Sequence, residues 1–111
     1  MKKIEAFIRP EKYKDVQRAL RKEGCRSVTV IPVQGRGASG ETKEAPRSGR
    51  GPLLAETWKV EIVCSDKVVH ALLRAVAQSA WTGKTGDGKI FVSPIDQAVR
   101  IRTGESGEEV L

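Results

Sequence analysis

The stretch WTGKTGDGKIFV, residues 81–92, places Gly83, four further residues, then Gly88 and Lys89. This is the spacing of a phosphate-cradling Walker loop. A hydrolase of that kind also needs a Ser or Thr after the lysine to hold Mg2+, a strand before the loop and a helix behind it. Here Ile90 follows Lys89, and the apolar spacing predicts a helix before the loop and a strand after it. The order is inverted, so no helix N-terminus faces an anion. A Walker hydrolase is set aside. Successive backbone N–H groups of Gly86, Asp87 and Gly88 can still form an anion-binding nest, because glycine tolerates positive φ and close approach. Lys89 adds a point charge. Taken alone, the same residues also describe a tight turn with an exposed lysine.

Two further features bear on phosphate. In AVRIRTG, Arg100 and Arg102 stand two apart. In an extended segment both would project to one side, with Cα atoms roughly 6–7 Å apart. Two guanidiniums so placed can grip neighbouring phosphates with forked hydrogen bonds. In QGRG, Gly35 and Gly37 follow a strand-like run and permit close backbone approach to a ligand. Each signal is weak, but together in one basic chain they favour a nucleotide or polyphosphate.

The elements that must position these residues follow from periodicity. KKIEAFI alternates, with Ile4, Ala6 and Ile8 on one face and Lys3, Glu5 and Phe7 on the other, and reads as a strand. PEKYKDVQRALRKEG reads as a helix, with Pro10 in its first turn, Gly24 as its stop, and Tyr13, Val16 and Leu20 on one stripe. SVTVIPVQ is a second strand, whose Pro32 points to an edge or bulge. TWKVEIVC is a third, with Trp58, Val60, Ile62 and Cys64 on one face. SDKVVHALLRAVAQSAW is a helix capped by Ser65, with Val69, Leu72, Leu73, Val76 and Ala80 inward. KIFVSPI is the fourth strand, QAVRIRTG is extended, and residues 104–111 form a soft tail. The order β-α-β-β-α-β predicts one α+β domain over residues 1–111. It has the ferredoxin-like arrangement, a four-stranded antiparallel sheet with two helices on one face. Self-association is the expected cover for the other, apolar face. Residues 35–56, rich in Gly, Pro and charge, form a long flexible loop between strands two and three, and such loops are usually functional or disordered.

Composition narrows the function classes. The 111 residues carry 20 Lys and Arg against 14 Asp and Glu, a formal charge of +6, which favours an anionic partner. No apolar run of about eighteen residues could cross a membrane. Met1-Lys2-Lys3 leads into Ile4-Glu5 and not into an apolar signal core, which favours the cytoplasm. Cys25 and Cys64 are far apart without a CxxC motif and read as reduced thiols. With a lone His70, neither a zinc site nor a catalytic triad is evident, and the expectation is no enzyme and no bound metal centre.

TGKTGDGKIFV followed by RIRTGE, with the opening MKKIEAFIRPEKYKDV and the strand KVEIV, resembles the PII signal-transduction family. The resemblance covers nearly the whole chain outside the segment from Ala38 to Thr57. It implies a homotrimer that binds ATP and ADP competitively in clefts between subunits, with Mg2+ possible. It also implies a long loop that docks on transporters or enzymes of nitrogen metabolism. Gly86, Asp87, Gly88 and Lys89 match the family's phosphate loop. Arg100 and Arg102 match its phosphate-binding arginines, which reach in from the neighbouring subunit. Phe7, Thr29, Gly35, Gly37, Glu61 and Val63 fall where the family contacts base, ribose or adjoining backbone. Arg47, with Ser48 and Arg50 beside it, falls at the loop tip used to plug ammonium transporters.

The departures lie in the long loop. Ala38 stands where the family has a phosphate-binding arginine, and Ser39 replaces the glutamine that coordinates Mg2+ and 2-oxoglutarate. Thr57 replaces the lysine that pairs with the keto acid. The resemblance therefore implies doubtful 2-oxoglutarate binding, since a buried dicarboxylate needs a cationic partner. Tyr13 is the only tyrosine, so the loop lacks a uridylylation site. Two alternatives compete with a nitrogen regulator. One is a related regulator of a non-nitrogen transporter. The other is an RNA-binding module of the same element order, disfavoured by aromatics at only 5% and no stacking pair on the third strand.

Overall fold

Alternation in Lys2–Ile8 makes β1, and the same rule makes the two strands against which it lies. The computed structural model of the chain describes residues 1–36 and 54–111. After β1, Pro10–Lys12 form a 3-10 turn that runs into α1, Tyr13–Lys22. Proline suits that entry because the first turn has no use for its missing N–H. Gly24, at φ +80°, ends the helix. Its N–H donates to the Arg21 carbonyl and that of Cys25 to the Leu20 carbonyl, the paired bonds of a Schellman stop. The chain continues into β2 (Thr29–Gly35), β3 (Ala55–Cys64), α2 (Val69–Ala80) and β4 (Lys89–Pro94).

The sheet order is β2-β3-β1-β4 and every neighbouring pair is antiparallel. This is the ferredoxin-like α+β fold that the element order predicts. Pro32 lies on β2, an edge strand, where its missing donor costs no ladder bond on the open side. One face of the sheet supplies Ile4, Ala6, Ile8, Val60, Ile62 and Cys64 to the core. The helices close over it with Val16 and Leu20 from α1 and Val69, Leu72, Val76 and Ala80 from α2. Tyr13 and Trp58 pack at its margin with ring centroids 5.2 Å apart.

Three details differ from the periodicity. The second helix begins at Val69 and not at Ser65. The Ser65 carbonyl accepts the Val68 N–H at 3.3 Å, closing a turn over residues 66–68, and Ser65 does not cap the helix. The segment around Arg100 is not extended. The Arg100 N–H donates to Glu105 O and the Gly104 N–H to Arg100 O, both at 2.8 Å, so residues 100–105 form a turn closed by a Val99–Ser106 bridge. Beyond it, Glu108–Val110 make a short 3-10 turn in what periodicity left as a soft tail.

The second face of the sheet is mixed and not uniformly apolar. Lys3–Glu5 (2.7 Å) and Lys59–Glu61 (3.0 Å) are ion pairs across its middle, flanked by half-exposed Phe91, Ile31 and Val63. The Glu5 hydrogen bond raises the Lys3 pKa and lowers that of Glu5 in turn.

Candidate functional site

Residues 82–88 join α2 to β4 and are folded around one carboxylate. Asp87 Oδ1 accepts from Arg9 Nε at 3.0 Å and from the Thr82 hydroxyl. Asp87 Oδ2 accepts the backbone N–H of Thr82 at 2.7 Å and of Gly83 at 2.9 Å. A carboxylate offers about four lone-pair positions, and all are filled from within the chain. The hydroxyl and backbone bonds from Thr82, joined by Arg9 and Gly83, hold the Asp87 carboxyl far below the usual carboxylate range against the opposing effect of desolvation. Asp87 is therefore ionised and turned inward. Its carboxylate has no capacity left for a metal or a ligand hydroxyl.

Glycines make this shape possible. A Cβ at Gly88, where φ is +102°, would lie 1.7 Å from the Phe7 carbonyl oxygen. No other residue fits there, so the loop is pressed against the end of β1. Gly86, at φ +100°, leaves room for the Arg9 guanidinium, which lies 3.3 Å from where its Cβ would be. Arg9 also donates from Nη2 to the Thr85 carbonyl at 2.8 Å. With Asp87 facing in, the loop presents backbone outward. The amides of Thr85, Gly86 and Asp87 donate to no acceptor among the described residues. That is the polarity of an anion nest.

The strand register arranges the remaining candidates in rows on the open face. Phe7 lies between Lys59 and Lys89 in one row, with Ile31 beyond Lys59. In the next row Thr29 is opposite Glu61, then Glu5, then Phe91. Val63 and Lys3 belong to the third. Phe7, Thr29, Glu61, Val63 and Lys89 thus share one face, and Phe7 meets Phe91 edge-on with centroids 6.0 Å apart. Gly35, opposite Ala55, ends β2 at the same end of the sheet as the 82–88 loop. Thr57, opposite Val33, is on the open face two residues before Lys59.

Arg100 and Arg102 are not brought to this loop. β4 runs away from it, and the Ile95 N–H donates to Met1 O, at the start of β1. The arginine turn therefore departs from the opposite end of the sheet. Glu108 and Leu111 then line a cavity of about 320 Å3 there with Gly24, Cys64 and Ser65. Arg100 has one ion-pair partner among the described residues, Glu105 at 3.6 Å. Gly37, Arg47, Ser48 and Arg50, with Ala38 and Ser39, lie outside the described residues. Among the described residues no group of three or more His, Cys, Asp or Glu could hold a metal. No helix there is long and apolar enough to cross a membrane. Burial pushes both thiols, Cys25 and Cys64, above the ordinary cysteine value.

Arg9 is the site residue that sequence reasoning misses. It stands 78 positions from Asp87, and no local pattern distinguishes it from the other basic residues near the N-terminus.

The family model described as nitrogen regulatory protein P-II matches residues 1–105. The chain is 47% identical to nitrogen regulatory protein P-II 2 of Methanothermobacter thermautotrophicus over 113 aligned residues, which cover 100% of this chain and 97% of that protein. It is 41% identical to nitrogen regulatory protein P-II of Cereibacter sphaeroides and 40% identical to that of Azospirillum brasilense, each over the full length of both chains.

Proposed function

The chain belongs to the nitrogen regulatory protein P-II family, and from that premise we propose that it is a non-enzymatic, cytoplasmic sensor of ATP and ADP. It works as a homotrimer and regulates a transporter or metabolic enzyme of nitrogen metabolism through the segment between β2 and β3. The observation that carries this reading is the 82–89 loop. Its one acidic side chain is consumed internally, so amides and Lys89 are what a ligand meets. A polyphosphate is the ligand that such a surface suits.

The base and ribose are placed against Phe7, Thr29, Glu61 and Val63 on the open sheet face. The loop holds the phosphates, and Arg100 and Arg102 of a second copy close over them. The separation of these arginines from the loop within one chain favours that division. Mg2+ is not held by Asp87. Any metal must be held by the phosphates and other groups. With Ser39 and Thr57 in place of longer polar side chains, 2-oxoglutarate binds weakly or not at all. Losing one charged hydrogen bond costs about 1.5–3 kcal/mol.

Calorimetric titration with ATP and with ADP, each with and without 2-oxoglutarate and Mg2+, tests this. The reading predicts saturable binding of both nucleotides. Absence of binding by either one removes it, and micromolar 2-oxoglutarate binding contradicts the keto-acid part alone.

A further inference from the structure

We propose that Arg9 is a positioning residue for the phosphate loop, acting through Asp87, and that this pair builds the loop before any ligand arrives. The inference rests on the nucleotide reading above for its effect on affinity, but not for its effect on the loop.

Three contacts define the role. Arg9 Nε donates to Asp87 Oδ1 at 3.0 Å, and Nη2 donates to the Thr85 carbonyl at 2.8 Å. The guanidinium also lies against Gly86, the one place where a side chain on the loop would displace it. One planar group therefore fixes three consecutive residues, Thr85, Gly86 and Asp87. Arg9 is itself held, since it directly follows β1 and precedes Pro10, whose ring fixes φ. The arrangement turns the Thr85 carbonyl, which would repel a phosphate, toward a cation at the back of the loop. The amides are left facing outward. Lysine has a single charged tip and cannot span both acceptors as a guanidinium does.

The expected consequence follows from preorganisation. A loop that holds the competent shape only a tenth of the time loses about tenfold in apparent affinity. A direct ligand contact would lower affinity as well, so affinity alone cannot distinguish the two. The test pairs Arg9→Ala and Arg9→Lys with the unaltered protein. ATP affinity is read by calorimetry, and amide exchange of residues 82–88 is read without ligand.

The proposal predicts faster exchange across the loop in Arg9→Ala and about tenfold weaker ATP binding, with Arg9→Lys between it and the unaltered protein on both readouts. Should Arg9→Ala fail to fold, Arg9→Lys alone carries the same test. Loss of affinity with unchanged loop exchange would make Arg9 a ligand contact and overturn the positioning role. Exchange and affinity both within about twofold of the unaltered protein would overturn it too. If the unaltered protein binds no ATP, the nucleotide reading fails, and loosened exchange in the variants still supports the clamp.

Discussion

The two halves of the proposed phosphate site are built in opposite ways. The 82–88 loop is finished within one chain: four donors meet one carboxylate, and a glycine presses against the Phe7 carbonyl. The arginine turn is finished only in its backbone. Arg100 and Arg102 are exposed, with one ion pair at 3.6 Å to Glu105, and they depart from the far end of the sheet. A cradle made of backbone must be preformed, because its donors point wherever the local fold sends them. A clamp made of long side chains can wait for a partner, since free arginines in water cost little. The difference teaches which part of the site one chain can complete and which part requires two.

The largest expected effect breaks the finished half. Gly88→Ala forces a Cβ into the Phe7 carbonyl and an alanine to positive φ. It should destabilise the protein by about 2 kcal/mol or more and abolish measurable nucleotide binding. Urea unfolding and calorimetry check both. Wild-type stability in that variant would mean that the loop is not pressed on β1. Arg100→Ala with Arg102→Ala strikes the other half. Each removes charged hydrogen bonds worth about 1.5–3 kcal/mol to a ligand, so affinity should fall at least about tenfold. The melting temperature should scarcely move, because neither side chain supports the fold. Unchanged affinity would remove both arginines from the site.

Much of this contrast was legible in the sequence. Strict alternation in β1 and β3 identified the buried and open faces, because a strand packed on one side writes a period of two. The glycines of residues 83–88 announced a loop with unusual backbone. What was not legible depended on contacts between distant residues or on local bonds that apolar spacing does not report. Arg9 reaches Asp87 only after β1 and β4 pair. Asp87 reads as a ligand until its four donors are seen. The turn at residues 100–105 is written in backbone bonds, while AVRIRTG carries the alternation of a strand. Ser65 has the right chemistry for a cap, but its carbonyl closes a preceding turn.

Smaller effects sharpen the same comparison. Asp87 has a depressed carboxyl pKa, so the stabilisation it brings is fully present above the ordinary carboxylate value and is lost only as pH falls through the folded value. The Thr82 and Gly83 amide resonances should therefore hold their positions as pH drops through about 3.9 and shift only at lower pH. A midpoint near 4 would show that the carboxylate is not engaged. Glu105→Gln should change stability by no more than about 0.5 kcal/mol, as exposed ion pairs do. By freeing Arg100 it should strengthen nucleotide binding slightly. A clear loss of stability would make the turn a structural element in its own right.

The central claim is that loop and arginines meet between copies and not within one. Lys89→Ala chains and Arg100→Ala/Arg102→Ala chains, each defective in ATP binding, are unfolded together, refolded as a mixture and titrated with ATP. If each site takes its loop from one subunit and its arginines from the next, random mixing rebuilds about a quarter of the sites. Binding of wild-type affinity then reappears at that stoichiometry. A mixture that binds no better than its two components would place the whole site within single chains and contradict the account.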